Sequence, residues 1–262
     1  MKALLGAAAC AALIGTPALA ADMAVKPPPA SPAQVFSWTG FYVGGNLGYG
    51  WGSAANTVTF VDANFPLAFA SSSRNNLQTV IGGGQIGYNW QFSPHGVFGV
   101  EADLQDFNKQ ASRNFSGACT IICVPNSDIV NGTSNAQVSW FGTVRGRLGY
   151  AANDLFFYGA AGLAFGEVKL SGTVNEATVL GGGGWNITSP YGIAKDKAGW
   201  TVGAGTEGII SKSWSWKIEY LYLDLGSIST SETLPPLPGI SISAQSHFTA
   251  NVLRVGLNYR LN

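Results

Sequence analysis

Charge is what this sequence has least of. Asp, Glu, Lys and Arg make up 11% of its 262 residues, against about 25% in an ordinary soluble domain. The 14 basic and 14 acidic side chains cancel, so no net field draws the chain to nucleic acid or an acidic surface. Histidine occurs twice, leaving little for a base-assisted nucleophile to work with. The longest apolar run, LLGAAACAALIG, is too short for a membrane-spanning helix, which needs about 20 residues.

That run has another use. Lys2, the apolar core and the small-residue site Ala18-Leu19-Ala20 form a secretory signal, cleaved between Ala20 and Ala21. Residues 1–20 are then a signal peptide with Cys10 inside its core. Residues 21–37, ADMAVKPPPASPAQVFS, form a Pro-rich periplasmic lead. The two remaining cysteines, Cys119 and Cys123, are a disulfide candidate closing a very small loop. With no histidine nearby they make a poor zinc site, and neither metal nor cofactor is expected.

Glycine and aromatic residues are abundant. Glycine occupies 35 of 262 positions, nearly twice the usual share of about 7%. Aromatics reach 12%, with eight tryptophans. An exported chain of this kind with no spanning helix fits the outer membrane, where closed barrels satisfy every backbone group.

Periodicity supports that reading. Phe41, Val43, Leu47, Tyr49 and Trp51 share one face of the first segment. Near the end Leu253, Val255, Leu257, Tyr259 and Leu261 alternate with Arg254, Asn258 and Arg260. Apolar residues outward and polar residues inward are the pattern of a membrane strand. Eight segments follow it, near 38–52, 77–92, 97–107, 137–151, 155–169, 198–210, 215–225 and 247–261. The fifth is apolar on both faces, which leaves its register open. Short turns (SPHG, the stretch around Asn153, SKS) alternate with long polar connections. The expectation is an all-β fold at 38–262: an eight-stranded antiparallel up-and-down transmembrane barrel with short periplasmic turns and long extracellular loops.

Trp38, Trp51, Trp90, Trp140, Trp200, Trp214 and Trp216 fall at strand ends, where aromatic girdles meet the membrane surfaces. Two stretches, GAGTEG at Gly203–Gly208 and GGGQIG at Gly82–Gly87, match the dinucleotide fingerprint. Neither opens a helix as that motif requires, so these glycines read as room or curvature for a narrow barrel. The inward set carries Glu101, Asp103, Glu207 and Glu219 against Arg145, Arg147, Lys217, Arg254 and Arg260. Eight strands leave a lumen that side chains fill, so these charges are expected to pair across a packed polar core.

Four segments in order, WTGFYVGGNLGYGWG from Trp38, GWTVGAGTE, KIEYLYLDLG and VLRVGLNYR, resemble the small outer-membrane immunogenic proteins, a porin-like family of Gram-negative bacteria. The resemblance covers 38–261 and implies an abundant, surface-exposed barrel like the OmpA transmembrane domain. It also implies roles in envelope integrity, weak porin-like activity and, in some members, haemin binding. One departure is the C-terminus, Tyr259-Arg260-Leu261-Asn262, where such barrels usually end on an aromatic read by the assembly machinery.

The expected role is therefore a structural and surface-interaction barrel of the cell outer membrane, with at most weak porin-like activity. Its expected partners are outer-membrane lipids and lipopolysaccharide, the barrel-assembly machinery through the C-terminal strand, and a surface ligand or host partner. A monomer is expected, and nucleic acid is not. Alternatives are haemin binding, with His247 as ligand, and narrow-pore diffusion. More remote is lipid A chemistry, with His247 beside Ser246 and Thr249 and with His95 read as a turn residue; the chain is expected not to be an enzyme.

Overall fold

The computed structural model describes residues 36–62, 67–118, 128–178, 185–233 and 239–261. Eight antiparallel strands close into a barrel in chain order. They are β1 (Gly40–Asp62), β2 (Leu67–Gln91), β3 (Gly96–Ala118), β4 (Asp128–Ala152), β5 (Leu155–Thr178), β6 (Trp185–Ile209), β7 (Trp214–Thr233) and β8 (Ile240–Leu261). Closure pairs β1 with β8 from Phe41↔Leu261 up to Asp62↔Ile240. The short periplasmic turns are 92–95, 153–154 and 210–213, and Asn153 takes the left-handed conformation at φ 51° that asparagine tolerates in tight turns.

The strands run well beyond the segments legible as membrane strands. Each long extracellular excursion is itself a paired arm, as in β1 and β2, which stay in register from Gly40↔Asn89 to Asp62↔Leu67. The reason is an inversion of chemistry at constant parity. On β8 the outward residues change from Leu257, Val255 and Leu253 to Asn251, Thr249 and Gln245, while the buried inward residues change from Asn258 and Arg254 to Val252, Phe248 and Ile242. An exposed apolar belt below and a polar exterior above are what lipid around the lower part and water around the upper require, with the apolar side switching from out to in.

The ring is complete only in its lower part. β2 and β3 pair over ten positions, from Gln91↔Val97 to Gly82↔Asp106. β6 and β7 likewise pair over ten, from Ile209↔Ser215 to Trp200↔Asp224. At about 3.4 Å per residue and about 40° of tilt, ten positions span about 25 Å, the height of a membrane band. Above these seams stand two leaves, β7-β8-β1-β2 and β3-β4-β5-β6, which enclose a buried apolar core that includes Phe60, Leu77, Phe107, Phe141, Leu170, Ile228 and Phe248. Tyr191 lies in this core and donates its hydroxyl to the Thr133 carbonyl at 3.1 Å; burial pushes that hydroxyl's pKa up.

Bulges mark where the seams open. One lies between Asp106 and Lys109 on β3 and one between Asp224 and Gly226 on β7. Asn108 and Gly226 both have positive φ, at 24° and 73°. On the unpaired edges, Lys109 and Arg113 stand opposite Val138 and Ser134, and Lys195 and Lys197 opposite Val168 and Gly166. Bulges and inward-set charges on an edge oppose further strand pairing.

Candidate functional site

The lower lumen is filled by charge. Glu101 and Asp103 on β3, Arg145 and Arg147 on β4, Glu207 on β6, Lys217 and Glu219 on β7, and Arg254 on β8 occupy inward positions and are buried. Register sets Glu101 beside Arg145, Glu207 beside Lys217 and Glu219 beside Arg254. Four carboxylates thus face four cations.

Glu101 is the centre. Both its oxygens accept from Lys217 Nζ at 2.9 Å, and Arg145 Nη2 donates to it as well. Arg147 Nη1 lies 3.4 Å away and Arg254 Nη2 3.6 Å away. Glu219 accepts from Arg145 Nη1 at 2.9 Å and from Arg254 Nη2 at 2.6 Å. Asp103 accepts from Arg145 and Arg254 at 2.9 Å and from the Thr143 hydroxyl at 2.7 Å. Arg147 reaches Glu207 at 3.1 Å and donates twice to Asn89 Oδ1, at 2.7 and 2.9 Å. Burying ions is costly unless each is multiply paired and hydrogen-bonded, and here each cation touches two or more partners.

The sequence reading missed two tyrosines. Tyr42 donates to Glu101 at 2.7 Å and Tyr158 to Glu219 at 3.1 Å. Their signal was the pair of glycine-rich fingerprints. Both stretches run on as strand, in β2 and β6. A side chain at Gly87 would collide with the Tyr42 ring, and one at Gly205 with the Tyr158 hydroxyl at 2.6 Å and its ring at 2.7 Å. The glycines make room for these rings. The halves repeat: Phe41-Tyr42, Gly87 and Glu101 on β1–β3 match Phe157-Tyr158, Gly205 and Glu219 on β5–β7.

Two of the residues named from sequence stand elsewhere than expected. Trp38 is not on a girdle: it is 1% exposed and packs on Phe156, ring centroids 5.4 Å apart, across the periplasmic mouth. It precedes β1, so strand alternation could not assign it a face. Among the described residues Arg260 joins no carboxylate. It donates to the Ser37 and Thr39 carbonyls at 2.6 and 3.2 Å and lies 4.3 Å over the Phe36 ring, because its height on β8 is that of the mouth and not of the charged layer. The other six tryptophans named from sequence face outward or toward the rims. Trp90, Trp214 and Trp216 lie near the periplasmic end, while Trp51, Trp140 and Trp200 lie about ten residues higher.

The lumen is closed above as well. An apolar cavity of about 20 Å³, lined in part by Leu77, Phe107, Phe141 and Phe248, is little larger than the space one water needs.

His247 sits on the outer face of the upper leaf. Its Nδ1 is 3.0 Å from the Ser227 hydroxyl and its Nε2 3.4 Å from Asp224. Ser246 alternates to the inner face and is fully buried, so it is not the histidine's partner. Thr249 meets Ser53 at 3.5 Å. His95 lies in its turn, with Nδ1 2.9 Å from the Ala151 carbonyl. Among the described residues no three His, Cys, Asp or Glu side chains converge as metal ligands. Ala20, Ala21, Cys119 and Cys123 lie outside the described residues.

The sequence matches the family model of the outer membrane protein beta-barrel domain over residues 7–260. The chain belongs to that family. As an outer membrane protein β-barrel it is located in the outer membrane of Gram-negative bacteria. It is 36% identical over 258 residues to the 31 kDa outer-membrane immunogenic protein of Brucella melitensis, with 97% of each chain covered. The 22 kDa outer membrane protein of Rhizobium leguminosarum bv. viciae is 32% identical, with 76% of this chain and 69% of that protein covered. Among solved structures, OprG from Pseudomonas aeruginosa aligns with a TM-score of 0.43 at 11% identity, covering 87% of this chain and 98% of its own.

Proposed function

We propose that this outer-membrane β-barrel is a structural and surface-display element of the envelope that conducts little or no solute and catalyses no reaction. The observation that carries the reading is the charged layer, whose side chains are at most 2% exposed around Glu101, Asp103, Glu219, Arg145, Lys217 and Arg254. Trp38 below and the apolar head above add two further stoppers on the same axis. The lumen ion pairs then serve stability and not selection of solutes.

Haemin coordination by His247 is disfavoured by the protein partners at both ring nitrogens. A Ser227–His247–Asp224 reaction centre would need a donor for a developing oxyanion, and the nearby Gly226 amide is already given to Asp224 at 2.8 Å. The chain is read as exported by residues 1–20, monomeric, assembled through β8, surrounded by phospholipid and lipopolysaccharide, and free to meet a host partner through its head. Planar-bilayer recording of the refolded protein tests the central claim. Baseline current is expected, and steady openings of porin size overturn it.

A further inference from the structure

The lipid-facing wall is not uniformly studded. A groove of about 1020 Å³ runs along β7, β8 and β1, with Val43, Leu47 and Val255 among its walls and Gly45 in its floor. The Trp214–Tyr259 pair, centroids 5.2 Å apart, stands at its foot on the periplasmic rim. Gly45 and its register partner Gly84 lie side by side between Leu257 and Leu104, so two neighbouring strands present no side chain there.

The chain's own packing does not demand these two glycines. A Cβ at Gly45 would come no closer than 3.8 Å to any neighbour, and one at Gly84 no closer than 3.7 Å. By contrast, a Cβ at the inward Gly44 would run into Asn258 and Leu257. Glycine in a strand is less stable than residues with side chains, so the notch points to something outside the chain that fills it.

Dimensions and charge select the occupant. The groove runs along β7 from Trp214 to Ile218, about 14 Å along the strand and about half of a 25 Å band once tilt is allowed. That is the depth of one acyl chain of the inner leaflet; lipopolysaccharide sits in the other leaflet. Directly below lies the turn 210–213 with Lys212, which makes no ion pair among the described residues. The other two periplasmic turns carry Asp154 and the carbonyl-bound His95. We propose that this groove seats one anionic phospholipid of the periplasmic leaflet, its acyl chain against Gly45 and its phosphate at Lys212.

The test uses full-length protein reconstituted in vesicles of phosphatidylethanolamine and phosphatidylglycerol, then examined by native mass spectrometry. Wild type is expected to retain one phospholipid with phosphatidylglycerol enriched about fivefold over its bulk share, the effect of one lysine near an anionic surface. Gly45→Leu should lose the retained lipid while keeping the gel-mobility shift of a folded barrel. Lys212→Gln should keep a lipid but return its composition to the bulk ratio, and Gly146→Leu on another wall should change nothing. Retention in bulk proportion by wild type, unchanged retention in Gly45→Leu, or a protein dimer that Gly45→Leu abolishes would each overturn the assignment.

Discussion

On β8, Arg254 and Val252 are successive inward residues, and between them the interior changes from ionic to apolar. Below, Arg254 is held by Glu219 and Asp103. Above, Phe248 and Ile242 pack among side chains from both leaves. The strand, its parity and its ladder with β1 continue unbroken, and the surrounding medium differs. In lipid, polar groups have nowhere to go but inward, where pairing must offset desolvation. In water, apolar groups go inward, and each large side chain contributes about 1.5–3 kcal/mol on burial. The ring and the head are two solutions to one problem in one continuous sheet.

The difference can be broken most severely in the ring. Arg145→Ala would leave Glu101, Asp103 and Glu219 each short of a cation, and a cost of about 3–5 kcal/mol is expected for a broken buried pair. Urea unfolding of the protein in vesicles reads this, and stability equal to wild type would refute the network's role. In the head, Phe248→Ala should cost about 3 kcal/mol. Hydrogen exchange should then accelerate in the upper arms of β8 and β1 and remain slow below Arg254. A subtler change sharpens the contrast. Asn56 is buried in the head with neither side-chain polar atom hydrogen-bonded, a polar residue placed as if the lower rules applied. Asn56→Leu should stabilise the head by about 1 kcal/mol, seen as slower exchange around Ser246, its register partner.

What the sequence shows most clearly is the ring, because lipid outside and charge inside make alternate residues differ sharply. Glu101, Asp103, Arg145, Arg147 and Arg254 can each be assigned a side from their neighbours alone. On β5, where Phe156 and Phe157 are equally apolar, the pattern is silent; the structure turns Phe156 inward against Trp38 and leaves Phe157 exposed. The arms were hidden for the opposite reason. Their outward faces, such as Thr57 and Thr59 on β1, lose the apolar signature that marks a membrane strand, and so read as loop. Partnerships across strands were out of reach as well: Ser227 meets His247 only through the β7–β8 register, twenty residues away in the chain, while adjacent Ser246 faces the other way.

The two seams have a consequence for how this protein can change. Each leaf keeps its own ladder, and among the described residues the leaves share backbone pairing only across the bottom ten rungs. Insertions or replacements at one crest therefore need not be matched on the opposite leaf. The cell can redraw the profile it presents to its surroundings piece by piece, while the hoop that anchors it keeps the same pairing.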